Sequence, residues 1–527
     1  MRTIILSLII LLSADKYVYS DNQNQSIDDY ANWITTLNPT YEVTQGNAYL
    51  LKKSERPLFV SIFGSCFGEN PATTYIIPQP PVNHRYVDPF YATALTTPGP
   101  NNSTANIIYR LSDNEALVTI VSYPPKAAYF GYQSYVFTRN SNHYVGITPP
   151  YPRTKSPDPK RYEIFGSIGN DVNNMVVQNQ YGAQPWDGTV VVYITTSNRN
   201  LARALTRKAE SYGINKKSIY VEPIGSNVIT GVTRSADDLT TLIRYAAPKS
   251  TSDANQWTDN LSKNVLVYKV THSDSSVIRF GENAYTAHSI NYNETHFSPN
   301  LKTALQQLSK LLQSYLEKMQ SSTALARQSI IVTKDNLEGI PYKGLIGAYG
   351  IQYGLRCEGD NHSSNATITL KTLGAQETAF IVGVDHTVLN NSSYISIDIY
   401  DSINSSGVAN SSQTNLKAVG FNKGNLTGSA KAVLEALGIK IPPSCVQLQK
   451  EIERLYVSPL TRNISNPTIA AASKYCIDLM GTSLIPAGYP ISISERSYIV
   501  PNTTTGGNVN YMLYPIIIAA GQNFIIP

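Results

Sequence analysis

The chain has 527 residues, only 15% of them charged, and its 42 Lys and Arg against 37 Asp and Glu leave a formal net charge of +5. That charge is spread thinly, with no Lys/Arg block and no basic stripe interleaved with aromatics, which excludes nucleic acid and acidic membrane as the implied partners. The length is ample for a large core and suggests about two or three domains.

Residues 1–20 have the layout of a signal peptide. Arg2 gives the positive start, Ile4 to Leu12 is apolar apart from Ser7, and Val18 and Ser20 suit a cleavage site before Asp21. As a helix the apolar stretch covers about 14 Å, short of the roughly 30 Å hydrocarbon core. A secreted, soluble chain with no integral membrane segment after leader removal is therefore expected, the alternative destination being a lysosomal or vacuolar lumen. Ser26-Ile27-Asp28-Asp29 then opens a helix like a capping box, with Ile27, Tyr30, Ile34 and Leu37 on one face before Pro39. Tyr41 to Thr74 reads as short strands, and the Pro- and Asn-rich stretch from Ile77 to Ser103 reads as ordered loop.

Tyrosine is unusually common, 36 against 12 Phe and 3 Trp, which suits half-buried strands or a sugar-facing surface. Tyr129, Phe130, Tyr132 and Tyr135 lie in a strand-like segment, so Tyr132 is a candidate for stacking on a sugar ring, although core packing is the commoner use. Gly166 to Asn174 is rich in Asx residues, and Asp171 and Asn174 are candidates to hold a sugar or Ca²⁺. The spacing of an EF-hand loop is absent, and Asx-rich turns are common without ligands.

The most legible unit spans 187–222. Asp187-Gly188 makes a turn and Thr189 to Thr196 a β-branched strand. Asn198 or Asn200 caps a helix with Leu201, Ala204, Leu205, Ala209 and Tyr212 on its apolar side. Gly213 follows as the residue past the helix end, and Ser218 to Glu222 returns as a strand. Further helices are expected from Ser235, with Asp237 and Asp238 in its first turn, and from Ser298-Pro299, with a stripe from Leu301 to Met319. A break near 320–328 divides the chain into halves at 21–325 and 326–527. In the second half helices are expected over Ser429 to Leu437, Val446 to Tyr456 and Pro467 to Met480, and Tyr514 to Ala520 reads as a buried terminal strand.

Two segments read alike. Leu111 to Arg139 and Leu373 to Asp401, aligned without gaps, share Leu111/Leu373, Glu115/Glu377, Tyr132/Tyr394 and Ser134/Ser396, and upstream Cys66-Phe-Gly-Glu-Asn echoes Cys357-Glu-Gly-Asp-Asn. The fold class expected is α+β, with mostly antiparallel sheets covered by helices, at least one β-α-β unit, and two related halves as the repeat suggests. The 4 cysteines lack zinc spacing, and in an oxidising compartment Cys66–Cys357 with Cys445–Cys476 is the pairing favoured by the repeat. Glycosylation acceptors are read at Asn24, Asn102, Asn260, Asn293, Asn361, Asn365, Asn391, Asn404, Asn410, Asn425, Asn463 and Asn502, so loops around 360–366, 390–410 and 502 should be exposed.

No nucleophile elbow, phosphate loop, His-Glu-x-x-His or dinucleotide fingerprint is present. The best catalytic candidates are Asp385 and His386, at the C-terminal end of the nearly continuous apolar strand Ala379 to Val384, where His386 would serve as acid/base or metal ligand. The bland reading is a turn with a packed imidazole. Asp360, beside His362, and Glu495, beside Arg496, complete the set. No metal is demanded and no cofactor is indicated. Whether the chain is an enzyme is left open. A non-catalytic extracellular binding or surface protein, taking a carbohydrate or small-molecule ligand, is weighed slightly above a secreted hydrolytic enzyme with a His/Asp site; oligomeric state is not legible.

Overall fold

A computed structural model describes residues 26–520 with the exception of 38, 53–54, 56–72, 83–84, 90, 93–95, 99–103, 141–159, 274–275, 282–293, 295–297, 323–329, 333–339, 344–348, 353–362, 371–377, 402–418, 422–425, 463–469, 480–490 and 508–511. The signal peptide, Cys66, Cys357 and Asp360 lie outside the described residues.

In chain order the first half begins with α1 (Ile27–Thr35), β1 (Tyr41–Gln45), β2 (Asn47–Leu51) and β3 (Thr73–Gln79). A short pair, β4 (Thr96–Pro98) and β5 (Thr104–Asn106), precedes β6 (Glu115–Ser122), β7 (Ala127–Asn140), β8 (Arg161–Ser167) and β9 (Val172–Asn173). Then come α2 (Asn174–Tyr181), β10 (Val190–Thr196), α3 (Arg199–Ser211), β11 (Ile219–Pro223) and β12 (Asp238–Pro248). Two helices, α4 (Thr251–Asp259) and α5 (Leu261–Asn264), lead into β13 (Val265–His272). The second half runs α6 (Leu301–Ser322), β14 (Ile330–Val332), β15 (Ile340–Lys343), β16 (Tyr349–Gln352), β17 (Ser363–Leu370), β18 (Thr378–Val384), β19 (Tyr394–Asp401) and β20 (Val419–Phe421). It finishes with α7 (Ser429–Ala436), α8 (Val446–Glu451), β21 (Leu455–Thr461), β22 (Ile477–Asp478), β23 (Ile491–Tyr498) and β24 (Ile516–Ala520).

The fold is α+β, and its two halves repeat one topology. The first half carries a sheet of order β1-β13-β6-β10-β11, the second a sheet of order β14-β24-β18-β21-β22. In each, the first three junctions are antiparallel and the last is parallel. The companion sheets also correspond, β3-β12-β7-β8 against β17-β23-β19-β20, antiparallel throughout. The β-α-β unit is as read, with β10 and β11 as parallel neighbours, Asn198 capping α3 from its side chain and Gly213 at φ +86° past its end.

Each half is three layers deep. On one side of the first sheet, Tyr30, Trp33 and Ile34 of α1 and Leu201, Leu205 and Ala209 of α3 pack on Ala116, Val118 and Ile120 of β6 and Val190, Val192 and Ile194 of β10. On its other side Leu117 and Val121 face β7 and β12. In the second half Leu301, Leu305, Leu308 and Leu312 of α6 pack on Phe380, Val382, Ile516 and Ile518, while Ala379 and Ile381 face Ile395, Ile397 and Ile493 of the companion sheet. A fully buried leucine stabilises by about 2 kcal/mol, so the leucine stripe of α6 ties that helix to the second half. The change of core therefore falls ahead of Leu301, whereas the boundary read from the sequence lies near 320–328, after the helix; Met319, the expected end of the stripe, is exposed.

The gapless alignment of the two segments keeps faces in β6 and β18 and loses them in β7 and β19. Tyr132 and Ser134 point into the first sandwich, whereas Tyr394 lies on the outer face of its sheet beside Tyr129 and Tyr498. A difference of one residue in the connection reverses every side chain of a strand, so those two identities are coincidental. Tyr129, Ala246, Tyr394, Tyr498 and Ile499 form the cluster in which the halves meet.

Three helix expectations are corrected. Asp238–Pro248 is the central strand β12 of its sheet; Thr240, Thr241, Ile243 and Tyr245 are β-favouring, and a short apolar run buried on both faces carries no period that separates strand from helix. Val446 to Tyr456 is α-helical to Glu451 and 3₁₀ over Ile452–Arg454, and Leu455-Tyr456-Val457 opens β21. Within Pro467 to Met480, the described residues begin with a helical Ala470, and the chain then passes through the 3₁₀ turn Ser473–Tyr475 into the short strand β22. The terminal strand is borne out: β24 lies between β14 and β18.

Asp237 and Asp238 serve buried arginines rather than a helix dipole. Asp238 accepts from Arg110 Nε at 2.8 Å and lies 2.9 Å from Arg161 Nε, and Asp237 accepts from Arg139 at 2.6 and 2.8 Å. Asp238→Ala removes the carboxylate that two buried guanidiniums share and leaves Arg110 only the longer contact to Asp88, at 3.5 Å; urea titration is expected to show a loss of about 3–5 kcal/mol, and an unchanged midpoint would mean that the remaining partners suffice.

Candidate functional site

The buried run of β18 ends at Gly383-Val384, and the chain turns at once through Asp385 and His386, which are 1% and 0% exposed. Asp385 is a turn former. It accepts from Thr387 N–H at 3.0 Å, Thr387 Oγ1 at 2.6 Å and Thr427 Oγ1 at 2.8 Å, with its own N–H donating to the Arg454 carbonyl. The bland reading of Asp385 is therefore the one the geometry supports.

His386 is held differently. Its Nδ1 lies 2.5 Å from Glu294 Oε1 and its Nε2 lies 3.0 Å from Glu495 Oε1. Glu294 Oε1 also accepts from Asn391 Nδ2 at 3.0 Å, and its Oε2 accepts from Leu513 N–H at 2.7 Å. Glu495 projects from β23 into the sandwich, where the Tyr456 hydroxyl donates to its Oε2. Gly383 makes room for this arrangement, since a Cβ there would stand 2.6 Å from the Tyr456 ring. Burial of the imidazole opposes its charging, but the carboxylates on both nitrogens prevail and raise the His386 pKa well above the ordinary value. Burial, and then the adjacent Glu495, push the Tyr456 phenol upward as well.

Of the catalytic candidates, His386 and Glu495 come together and Asp385 does not join them. Glu294 and Tyr456 were missed in the sequence. Glu294 is remote along the chain, inside Asn293-Glu294-Thr295, which reads as an exposed sequon; Tyr456 was assigned to a helix. Among the described residues no group of His, Cys, Asp and Glu is arranged to hold a metal ion.

The binding candidates sit in the interior. Tyr132 is fully buried, stacked on Tyr193 with centroids 4.2 Å apart and hydrogen-bonded to Thr195 Oγ1 at 2.9 Å. Beside it, Glu222 accepts from Ser134 N–H and Oγ and from Thr195 Oγ1. Burial raises the Glu222 carboxyl pKa, against the lowering effect of those donors. Asp171 accepts from Tyr129 OH at 2.9 Å, Asn173 bonds to Thr504 of the second half, and Asn174 accepts from Phe130 N–H, so this Asx cluster fastens the seam between halves.

Cys445 and Cys476 are free thiols packed in the same apolar cluster, and the pairing expected between them is not formed. Of the acceptor asparagines, Asn260 and Asn502 are exposed, while Asn365 lies in β17, not in a loop. β19 also occupies much of the expected loop at 390–410. Asn391 is 0% exposed with its amide on Glu294, which leaves no room for a glycan. Asn24, Asn102, Asn293, Asn361, Asn404, Asn410, Asn425 and Asn463 lie outside the described residues.

No protein-family model and no curated protein matches this chain. Among solved structures it is similar to the VPA0106 protein from Vibrio parahaemolyticus, with 9% identity, a TM-score of 0.30 and coverage of 89% of this chain and 100% of that one. A likeness at that level carries no argument.

His386→Ala leaves Glu294 and Glu495 buried without their cation, and denaturation at neutral pH is expected to show a loss of about 3–5 kcal/mol. The folded-state pKa lies above the unfolded value, so the contribution of His386 is complete below about pH 6.5 and is lost as pH rises through the folded-state value. Wild-type stability should therefore fall more steeply with alkaline pH than that of the variant; parallel profiles would refute the charged assignment.

Proposed function

We propose that this protein is a non-catalytic binding or surface protein, secreted and N-glycosylated, in which the His386 cluster is a packing element. The observation that carries the reading is the engagement of His386: the ring is 0% exposed and both nitrogens face carboxylates. A general base needs an unprotonated nitrogen within reach of a substrate proton. Here deprotonation works against Glu294 and Glu495 together, and a substrate would have to part the sandwich.

The competing reading is a secreted hydrolase. One observation favours it: a His and a phenol whose pKa values are both raised, gathered with two carboxylates at a strand end, are what an acid/base site requires. Diethylpyrocarbonate separates the two, because it acylates an imidazole only through a neutral nitrogen that solvent reaches. Peptide mapping by mass spectrometry is expected to find His386 unmodified in the native protein and modified after unfolding in urea. Modification of native His386 that also abolishes turnover in a panel of ester, glycoside and peptide substrates would establish the hydrolase instead.

A further inference from the structure

Helix α3 covers the sheet with Leu201, Ala202, Leu205 and Ala209, and its opposite side carries Arg199, Arg203 and Arg207, all exposed. Between this row and strand β11 runs a groove of about 460 Å³, lined also by Lys216 and Glu210 at the rim and by Ala202, Thr206, Val221 and Phe280. Arg199 lies over the Phe280 ring at 5.6 Å. Its N–H donates to the carbonyl of Ile278, which with Val277 extends the apolar surface past the helix start at 51% and 43% exposure. Among the described residues no ion pair engages Arg203, Arg207 or Lys216. In the helix these three arginines stand at intervals of four residues, a cation on every turn of one face.

We propose that this groove binds an extended acidic peptide segment of a partner protein, with acidic and apolar residues alternating. Residues four apart on a helix are separated by about 6 Å along its axis, and every second side chain of an extended strand by about 6.8 Å. Three carboxylates on one face of a strand therefore meet three guanidiniums in step, each able to accept paired N–H bonds. The intervening side chains turn toward Val221, Phe280 and the helix floor. Strand β11 ends its sheet among the described residues, so the groove follows a sheet edge, where an extended chain fits better than a compact ligand. The groove lies in the first half and His386 in the second, so this inference and the reading of His386 succeed or fail separately.

The test is fluorescence anisotropy of the full chain with a labelled peptide alternating Glu and Val, against a peptide of the same composition with its Glu residues in one block. The alternating peptide is expected to bind about tenfold more tightly, and Arg203→Gln and Arg207→Gln each to weaken it about tenfold with unchanged melting temperature. Lys208→Gln removes the same charge from the same helix outside the groove and should leave binding unchanged. Equal binding of the two peptides, or an equal loss in Lys208→Gln, would reduce the site to a diffuse positive field and overturn the proposal. A sulfated polysaccharide that binds more tightly than the alternating peptide, and loses binding in both arginine variants, would assign the groove to a glycan and overturn it equally.

Discussion

Burial of one central strand on both faces governs each half of the molecule. Antiparallel sheets usually leave one face to solvent, and their strands alternate apolar with polar. β6 and β18 instead carry nearly unbroken apolar runs, Ala116 to Val121 and Ala379 to Val384, and every residue of those runs is buried. Such a strand needs a helix layer on one side and a second sheet on the other, and both halves supply them with one strand order. The same constraint bears on any polar group at a strand end. Gly383 and Tyr456 show how close the packing is there, and His386, arriving one turn later, is enclosed before it can reach water.

The halves resolve their interior charges with different residues. In the first, Asp238 of β12 lies between Arg110 and Arg161, and Glu222 of β11 collects hydroxyl and amide donors. In the second, one imidazole lies between Glu294 and Glu495, and a phenol caps the chain of bonds. Desolvating one ion costs several kcal/mol, so each is retained only with its partners in place. The backbone plan is shared and the charge plan is not.

Elements whose signals are local were legible in the residues. Ser26 and Asp29 form the capping box of α1, Asn198 and Gly213 bracket α3, and the apolar stripe of α6 has a helical period. The continuous apolar run of β18 and the terminal strand β24 were equally plain. The repeat was also visible, although two of its four identities, Tyr132/Tyr394 and Ser134/Ser396, fall on opposite faces. What failed was β12, because acidic residues before a mixed apolar run resemble a helix start until the arginines that claim them, Arg110, Arg139 and Arg161, are brought across from elsewhere in the chain. The site was half legible for the same reason. His386 and Glu495 stood out as ionisable residues beside strands, whereas Glu294 and Tyr456 acquire meaning only through contacts across sequence separations of 92 and 39 residues.

Interior and surface cations are available for different things. A buried ion is stable only while its partners hold it, so using His386 in chemistry would first require undoing the bonds that justify its presence, at a cost of about 3–5 kcal/mol, a large part of a domain's stability. The arginines of α3 stand at the opposite limit. Water solvates them, no described carboxylate neutralises them, and folding gains little from their sitting in a row. A partner that brings carboxylates at the matching interval displaces only water and surface counterions, and the apolar floor beneath adds contact area without altering the sandwich. On energetic grounds recognition is cheaper at the helix face than at the strand end.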